Sequence, residues 1–251
     1  MSDDYILSCD NLVRRFGSFT AVGGITFGVR PGTIHAVIGP NGAGKTTFFN
    51  LLTKFLPCSE GNIRFKGQDI TGLTAEEVAN LGLVRTFQIS AIFPSLTLLD
   101  NIRIALHQRI GGTTAFWRSG RTMERLDARA TELLDMVGLA DRAKDTAGQL
   151  SYGRKRALEL ATALALDPEM LLMDEPMAGM GSEEIDRISE LIKTISQDRT
   201  ILMVEHNLSV VSALADDITV LAQGRLLAQG NYAAVSSDPA VIEAYIGKVD
   251  D

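Results

Sequence analysis

Cysteine and histidine are both scarce in this sequence, which holds two cysteines and three histidines among its 251 residues. The two cysteines, Cys9 and Cys58, do not form a C-x-x-C pair. A zinc site built from cysteine and histidine is therefore not expected. The low cysteine content also favours a chain that works in a reducing, cytosolic compartment.

Basic residues are outnumbered as well. The chain has 24 lysines and arginines against 31 aspartates and glutamates, which gives a formal net charge of −7. This balance argues against general nucleic-acid binding, which needs a basic footprint. It does not exclude a small phosphorylated ligand, because phosphate sites depend on local backbone dipoles more than on global charge.

Long apolar runs are missing too. A membrane-spanning helix needs about 18 or more consecutive apolar residues, and Asp167 and Glu169 interrupt the most apolar stretch, residues 158–173. The acidic beginning, MSDDYILS, lacks the positive charge of a signal peptide. Hydrophobic residues make up 45% and charged residues 22%, a composition typical of a globular domain. A role at a membrane would therefore require docking on another protein.

Strand-like and helix-like segments alternate along the chain. Residues 45–56 predict a helix that Pro57 stops. Residues 96–166 are mostly helix-forming and look inserted between strand-rich parts. The alternation indicates an α/β fold with a parallel core sheet. Its predicted strands include residues 33–38, 170–173, 201–204 and 218–221.

A glycine-rich motif, GPNGAGKTT, follows the first of these core strands. It consists of Gly39, Pro40, Asn41, Gly42, Ala43, Gly44, Lys45, Thr46 and Thr47. The spacing matches G-x-x-x-x-G-K-[ST] in its expected place between a strand and a helix. Backbone N–H groups and the helix N-terminus would hold a triphosphate, with Lys45 at the β- and γ-phosphates and the Thr46 hydroxyl on Mg²⁺. The alternative, a turn that only caps a helix, does not require the whole motif.

A pair of carboxylates follows a later apolar strand. Residues 170–173 lead into Asp174, Glu175 and Pro176, at the carboxyl end of a strand, where parallel sheets bind ligands. Asp174 is predicted to hold Mg²⁺ through a water molecule, and Glu175 to orient and polarise the attacking water. An Asp-Glu-Pro turn alone is usually a loop, but together with the phosphate motif it predicts the second half of an ATP site.

The segment between these two halves resembles the signature of ATP-binding cassette (ABC) ATPases, LSGGQ followed by a helix. Leu150, Ser151 and Gly153 match the signature, whereas Tyr152 and Arg154 stand where Gly and Gln are commonest. Ser151 is also predicted to be the N-cap of the following helix. In the family this site faces the γ-phosphate held by another subunit. The resemblance therefore implies a second cassette, identical or homologous, that binds nucleotide together with the segment from Leu150 through Tyr152 to Gly153.

Further family elements occur in the expected order. The resemblance implies that Gln88 reaches Mg²⁺ and connects the nucleotide site to the transmembrane permease that such ATPases serve. It also implies that His206 contacts the γ-phosphate. Phe16 corresponds to the aromatic that stacks on adenine, with Phe19 as the rival and a core position as the alternative. Gly181 stands where many relatives carry Asp, which puts the usual contact across the dimer in doubt.

The resemblance covers nearly the whole chain and implies a P-loop NTPase core with a parallel sheet, an N-terminal antiparallel β subdomain and an inserted α-helical subdomain. It implies a single domain over 1–251, with the catalytic core in 1–88 and 167–225, the helical subdomain in 89–166 and a C-terminal tail in 226–251. It also implies ATP and Mg²⁺ as ligands, transmembrane permease subunits and indirectly a solute-binding protein as partners, no nucleic acid, and a peripheral place on the cytoplasmic face of the inner membrane.

Four shorter segments are similar to the ATPase subunits of branched-chain amino-acid and related polar-solute importers. They are VRTFQ, LSYGR, DEPMAG and the tail segment DPAVIEAYIG. Importers of urea and amides and exporters of lipopolysaccharide remain alternatives. The apolar run SAIFPSLTLL after Gln88 is a candidate contact for the permease, with core packing as its alternative.

Three other classes of protein are less consistent with the sequence. ABC ATPases of DNA repair or chromosome organisation carry coiled-coil or zinc insertions, and neither heptads nor C-x-x-C pairs occur here. A translation-type member would have two cassettes, whereas this sequence shows one. A P-loop kinase does not need the signature or His206. A regulatory module that binds ATP without hydrolysis would not need both Glu175 and His206.

Overall fold

A computed structural model describes residues 4–86, 92–109 and 120–246 of the chain. These residues form two compact units. The first comprises the described residues of Met1–Arg85, Glu169–Pro176 and Ile195–Asp251. The second comprises the described residues of Thr86–Pro168 and Met177–Thr194.

Strands and helices alternate through most of the described residues. The strands are β1 (Leu7–Phe16), β2 (Phe19–Val29), β3 (Ile34–Ile38), β4 (Glu60–Phe65), β5 (Gln68–Asp69), β6 (Leu83–Thr86), β7 (Met170–Asp174), β8 (Thr200–Val204), β9 (Asp217–Ala222) and β10 (Arg225–Gly230). The helices are α1 (Lys45–Leu52), α2 (Ala75–Asn80), α3 (Leu98–Arg109), α4 (Gly120–Met136), α5 (Tyr152–Leu164), α6 (Ser182–Ser196), α7 (Leu208–Leu214), α8 (Tyr232–Ser236) and α9 (Pro239–Ile246).

One sheet of the first unit is antiparallel and has the strand order β2-β1-β4-β5. Its longest pairing is the hairpin of β1 and β2, which extends from the pair Leu7–Val29 to the pair Phe16–Phe19 and is interrupted by irregularities. Alternate residues of these strands, such as Leu7 and Cys9, are buried. The sheet therefore has one face on the core, as expected for an antiparallel sheet.

The other sheet has the order β10-β9-β3-β8-β7-β6. Strand β3 lies between β8 and β9 and is parallel to both, and β7 is parallel to β8. Every residue of β3, β7 and β8 is buried. Strands covered on both faces require continuous apolar runs rather than alternation, which is why these three segments stood out in the sequence.

Helix α1 anchors the end of the glycine-rich motif to this core. Its residues Phe48, Phe49, Leu51 and Leu52 are fully buried, and the ring of Phe48 meets that of Phe27 edge-on with centroids 5.3 Å apart. Removing such a buried ring typically costs about 3–5 kcal/mol. The apolar side of α1 therefore fixes the helix whose N-terminus carries Lys45.

The second unit is helical. Apolar side chains of α3, α4 and α5, such as Ile102, Leu133 and Leu158, are fully buried. At the start of α3 the Thr97 hydroxyl accepts the backbone N–H of Asp100 at 3.1 Å, which satisfies one of the free donors of that end. In α5 the buried ion pair of Arg156 and Glu159 spans 2.9 Å.

The predicted α/β fold class is confirmed, but the predicted end of the first helix was wrong. Helix α1 ends at Leu52 rather than Leu56. The Thr53 hydroxyl donates to the carbonyl of Phe49 at 2.8 Å. Lys54 adopts a left-handed backbone with φ of +61°, which a right-handed helix does not accommodate. No helix within the described ranges is long and apolar enough to cross a membrane.

Candidate functional site

The glycine-rich motif forms the connection between β3 and α1, which we call the phosphate loop (residues 39–47). Gly44 has φ of +92°, and a Cβ there would lie 2.6 Å from the carbonyl oxygen of Ala21. Only glycine fits this position, because the backbone is left-handed and closely approached. The Ala43 N–H donates to the Pro40 carbonyl at 3.2 Å, and the Ala43 carbonyl accepts from Gly224 at 3.0 Å. The loop is therefore held by a hydrogen bond within itself and by a hydrogen bond from the backbone of Gly224.

Lys45 is the first residue of α1, and its side chain turns back over the loop. Its Nζ donates to the carbonyls of Gly39 at 2.6 Å and Pro40 at 3.0 Å. An ammonium group has three donors, so one remains for a ligand. Burial lowers the pKa of the Lys45 ammonium, while the charges of Glu175 and Asp174 oppose that shift. The loop lysine and the two predicted carboxylates thus share one electrostatic neighbourhood.

Asp174 ends β7 and is buried, with 3% of its side chain exposed. Its Oδ2 accepts a hydrogen bond from Nη2 of Arg85 on β6 at 2.6 Å. The prediction from sequence did not assign a role to Arg85. The available signal was a cation in the short strand β6, within the segment VRTFQ.

Glu175 follows Asp174 with a left-handed backbone, φ +48°, which is uncommon for a residue with a side chain. Its N–H donates to the carbonyl of Val204 on β8 at 2.9 Å, which ties this turn to the neighbouring strand. Its Oε1 lies 3.9 Å from Nδ1 of His206. That separation is longer than a hydrogen bond, yet it brings both predicted catalytic side chains to one edge of the sheet.

Glu205 is a second residue that the sequence prediction missed. It is 1% exposed, directly after the end of β8, and its Oε2 accepts the backbone N–H groups of both His206 and Asn207. The Asn207 side chain in turn caps α7 by accepting from Ser209 and Val210. The signal was an acidic residue placed between an apolar strand and the predicted histidine.

Phe16 and Phe19 face each other across the turn between β1 and β2. They are 45% and 65% exposed, so neither is a core residue. The guanidinium carbon of Arg14 lies 4.6 Å from the centroid of the Phe16 ring, within the range of a cation–π contact. Both rings remain candidates for stacking on a base.

The signature segment (residues 150–153) belongs to the second unit and leads into α5. Ser151 is the N-cap residue, as predicted, but its side chain makes no capping hydrogen bond. The Gly153 N–H instead donates to Oε1 of Glu184, near the start of α6, at 3.2 Å. Leu150 is buried, whereas the Tyr152 ring is 47% exposed, and its hydroxyl accepts from Arg156 at 3.2 Å. The Ser151 hydroxyl is thus not engaged by its own helix.

Gln88 lies outside the described residues. Gly181 is exposed just before α6, and a Cβ there would meet nothing within 4 Å. Steric crowding therefore does not require a glycine at that position.

The donors in the first unit fit a magnesium ion bound together with phosphates. Within the described ranges no group of three or more His, Cys, Asp or Glu side chains could hold a metal ion by itself. Mg²⁺ usually needs fewer protein side chains than that, since it binds one or two carboxylates together with several waters and substrate phosphates. The exposed Thr46 and the carboxylate of Asp174 are oxygen donors of the kind that it prefers.

Comparisons with known proteins agree on one family. A family model described as ABC transporter matches residues 22–178, and one described as branched-chain amino acid ATP-binding cassette transporter matches residues 225–251. The high-affinity branched-chain amino acid transport ATP-binding protein LivG of Escherichia coli K12 is 38% identical over 253 residues, covering 97% of this chain and 98% of LivG. The corresponding protein BraF of Pseudomonas aeruginosa is also 38% identical, with the same coverage.

Solved structures lead to the same result. The crystal structure of an ATP-binding cassette of an ABC transporter in its ADP conformation superposes with a TM-score of 0.85. It is 32% identical in sequence, and the match covers 97% of this chain and 99% of that one. Similarity of this extent includes both of the units described above.

Proposed function

The chain belongs to the ABC transporter family of ATP-binding cassettes, and we propose that it hydrolyses ATP to power solute transport through a membrane permease. The observation that carries this proposal is the meeting of Lys45, Asp174 and Glu175 at the edge of the β3–β8–β7 sheet. The lysine supports phosphate binding, and the two carboxylates support a metal and a water molecule.

ATP binding is assigned to the phosphate loop. Its backbone N–H groups and the N-terminus of α1 attract the phosphate oxygens, and the Lys45 ammonium adds a charge at the β- and γ-phosphates. An exposed aromatic at the β1–β2 turn, Phe16 or its rival Phe19, stacks on the adenine. Lys45 already contacts two loop carbonyls, so its charge is positioned before the nucleotide arrives.

The hydrolytic step is assigned to Glu175. Its carboxylate accepts a proton from a water molecule while the water oxygen bonds to the γ-phosphorus. The bond between that phosphorus and the β–γ bridging oxygen breaks, so that ADP and inorganic phosphate are the products. His206, held at the same edge, donates a hydrogen bond to the γ-phosphate.

Magnesium is assigned to three residues: the Thr46 hydroxyl, the Asp174 carboxylate through water, and Gln88. When bound, the ion supplies positive charge to the phosphate oxygens. The Asp174 carboxylate would orient the water molecule through which it holds the ion. Its Oδ2 is already engaged by Arg85.

A second cassette completes the site in this proposal. The Ser151 hydroxyl and the N-terminus of α5 bind the γ-phosphate of a nucleotide held by the other chain, which is either identical or homologous. The support within this chain is the exposed Ser151, whose hydroxyl does not cap its own helix. A helix N-terminus with a free hydroxyl is well suited to an anion.

The permease is proposed to dock at the segment before α3. Phe93 is 49% exposed, whereas Ile92 and Leu98 are buried. The Asn101 side chain accepts from the N–H of Phe93 and donates to its carbonyl, so the backbone at Phe93 is tied to α3. Among the described residues of the predicted contact strip, Phe93, Pro94 and Ser95 are exposed, while Ile92 and Leu98 belong to the core. The part of the strip before Ile92 lies outside the described residues.

The solute is proposed to be a branched-chain amino acid. The support is the similarity to LivG and BraF, which are branched-chain amino acid transport ATP-binding proteins, together with the match of the tail over residues 225–251. The chain would then work as a peripheral subunit at the cytoplasmic face of the inner membrane, with a solute-binding protein acting indirectly through the permease.

Two measurements test this proposal. Phosphate release by the purified chain should be lost in Lys45→Ala, and nucleotide binding should weaken greatly, because the loop loses its charge at the phosphates. Lys66→Ala, at an exposed lysine outside the loop, is the matched control and should retain the wild-type rate. Turnover at the wild-type rate in Lys45→Ala would refute the assignment.

The second measurement concerns the partner and the solute. The tagged chain is recovered from native membranes in mild detergent, and the complex is reconstituted in vesicles. We expect a copurified permease and ATP-dependent leucine uptake. Uptake of another solute, with no response to leucine, isoleucine or valine, would refute the proposed solute and leave the ATPase assignment intact.

A further inference from the structure

Arg85 is a buried cation that faces the proposed metal carboxylate. Its side chain is 12% exposed and that of Asp174 is 3% exposed. Nη2 of Arg85 and Oδ2 of Asp174 are 2.6 Å apart. Oδ1 of Asp174 accepts no hydrogen bond from any residue that the structure describes. One oxygen of the carboxylate is therefore engaged, and the other is left for a ligand.

The guanidinium group is fixed in place by more than its ion pair. Its Nη1 donates to Oδ1 of Asn50 at 2.5 Å and approaches the Thr53 hydroxyl at 3.4 Å. The ring of Phe55 has its centroid 5.5 Å from the guanidinium carbon. These three residues lie in and just after α1, the helix that begins with Lys45. Arg85 thus links the end of β7 to the helix of the phosphate loop.

Stability alone is a weak reason for this arrangement. A buried ion pair loses hydration on both sides, and well-packed apolar residues of similar volume often stabilise a protein as well or better. Nε of Arg85 is moreover buried without a hydrogen-bond partner among the described residues. A cation held in this way is better explained by what it does to Asp174.

The local charges suggest that role. Lys45 and Arg85 bring two positive charges to the two negative charges of Asp174 and Glu175, so these four side chains carry no net charge. The buried carboxylate of Glu205, at the end of β8, is engaged by the backbone N–H groups of His206 and Asn207. A divalent cation gains little from such a group, because Mg²⁺ gives up its water reluctantly and needs anionic oxygens. The phosphates of a nucleotide would supply the missing negative charge.

We propose that Arg85 is a positioning residue that holds Oδ2 of Asp174 so that Oδ1 faces the metal, and that its charge prevents divalent cations from binding there without a nucleotide. The inference rests on the proposed function, because it takes Asp174 as the metal carboxylate. It assigns two separable properties to one side chain: its positive charge excludes free metal, and its forked geometry orients the carboxylate.

The experiment uses Mn²⁺ as the probe and the electron paramagnetic resonance signal of Mn²⁺ as the readout, on the full chain. Without nucleotide, the wild type should leave the signal of free Mn²⁺ unchanged, whereas Arg85→Met should bind Mn²⁺ about tenfold more tightly or better than the wild type. The double variant Arg85→Met/Asp174→Asn should lose that gain. Arg30→Met, which breaks an exposed ion pair with Asp217, is the matched control and should behave like the wild type.

Arg85→Lys separates charge from geometry. It should still exclude Mn²⁺ in the absence of nucleotide, because the positive charge is kept. The Mg²⁺ concentration required for hydrolysis at saturating ATP should rise about 10- to 100-fold, because an ammonium lacks the planar fork with which Arg85 bonds Asn50 and Asp174 together. Thermal unfolding shows which variants fold. If Arg85→Met does not, Arg85→Gln takes its place as the neutral variant.

The possible results differ clearly. No gain of Mn²⁺ binding in a folded neutral variant would overturn the proposal, and so would a gain that persists in the double variant. If Asp174→Asn alone leaves the affinity for Mn²⁺·ATP unchanged, the metal assignment in the proposed function fails. That result is independent of the nucleotide-free comparison on which the role of Arg85 depends.

Discussion

The buried carboxylate of Glu205 accepts, through the single oxygen Oε2, the backbone N–H groups of His206 at 3.0 Å and Asn207 at 3.1 Å. The backbone that carries His206 is therefore fixed by the residue before it. A charged acceptor makes stronger hydrogen bonds than a neutral one, and a buried N–H that loses its acceptor is costly.

We expect Glu205→Ala to lower the free energy of unfolding by about 1–3 kcal/mol and to reduce ATP hydrolysis, because both N–H groups lose their acceptor and the His206 backbone is released. Glu205→Gln keeps an acceptor oxygen and should lose less of both. Urea unfolding and phosphate release measure the two effects. Unchanged stability in Glu205→Ala would show that this carboxylate does not hold the turn.

The two neighbouring carboxylates should differ in the kinetic property that each controls. Glu175→Gln keeps the shape of the side chain but cannot accept the proton, so hydrolysis should fall by orders of magnitude while ATP binding stays nearly intact. His206→Ala should resemble it, because the proposed contact of His206 is to the γ-phosphate. ATP affinity and turnover are measured separately. Near wild-type turnover in Glu175→Gln would end its assignment as the base.

Asp174→Asn should weaken the binding of Mg·ATP as well as hydrolysis. It also leaves the Arg85 guanidinium without its counter-charge, so the free energy of unfolding should fall by about 3–5 kcal/mol. Comparing nucleotide binding with and without Mg²⁺ separates the two consequences, because only the metal-dependent part reports on the carboxylate as a ligand. Wild-type affinity for Mg·ATP in a folded Asp174→Asn would contradict the prediction.

Nucleotide-dependent pairing should appear with ATP and not with ADP, because the signature segment is proposed to bind a γ-phosphate held by the other chain. Sedimentation of Glu175→Gln, which we expect to retain bound ATP, tests this with each nucleotide in turn. Adding Ser151→Asp in the same background places a negative charge against that phosphate and should abolish the shift. If Glu175→Gln shows no shift with ATP, pairing between identical chains is refuted.

Acid should destabilise the chain partly through His35, which is 1% exposed on β3. Its Nε2 lies 2.8 Å from the Thr219 hydroxyl, and burial lowers its pKa from 6.5 to about 4. The folded state thus favours neutral His35. The corresponding stability, on the order of 3 kcal/mol, is present above pH 6.5 and is lost as the pH falls towards 4.

His35→Gln removes this titration while it retains a group able to bond Thr219. Urea unfolding between pH 7 and pH 4 should therefore show a shallower decline in the variant than in the wild type. The other titrating groups are common to both proteins and cancel in the comparison. Parallel declines would show that His35 is not an acid-sensitive site.

The parts of the fold and site that sequence could predict are those fixed by local patterns. The apolar runs of β3, β7 and β8 identified the core strands, because strands buried on both faces need continuous hydrophobic residues. The spacing of glycines before Lys45 likewise specified the loop, since the backbone at Gly44 admits no side chain. In both cases the physical requirement lies within a few neighbouring residues.

What sequence could not predict depends on partners that are distant along the chain. The pair of Arg85 and Asp174 joins two strands that are separated in sequence by residues 86–168 of the second unit, and no periodicity indicates it. Ser151 was expected to cap α5 with its hydroxyl, but Glu184 supplies the acceptor at Gly153 instead. Thr53 ended α1 early through a hydrogen bond that the position of Pro57 did not suggest.

The position of β3 has a consequence for how the chain is made. Its two neighbours, β8 and β9, come much later in the sequence, and Ile34 pairs with Ile201. During synthesis from the N-terminus, β3, which leads into the phosphate loop, remains unpaired at both edges until the last part of the chain emerges from the ribosome. Pairings so far apart in sequence form slowly, and an exposed apolar strand is prone to aggregate. A product truncated before β8 would therefore be a target for chaperones and proteases rather than a partly active ATPase.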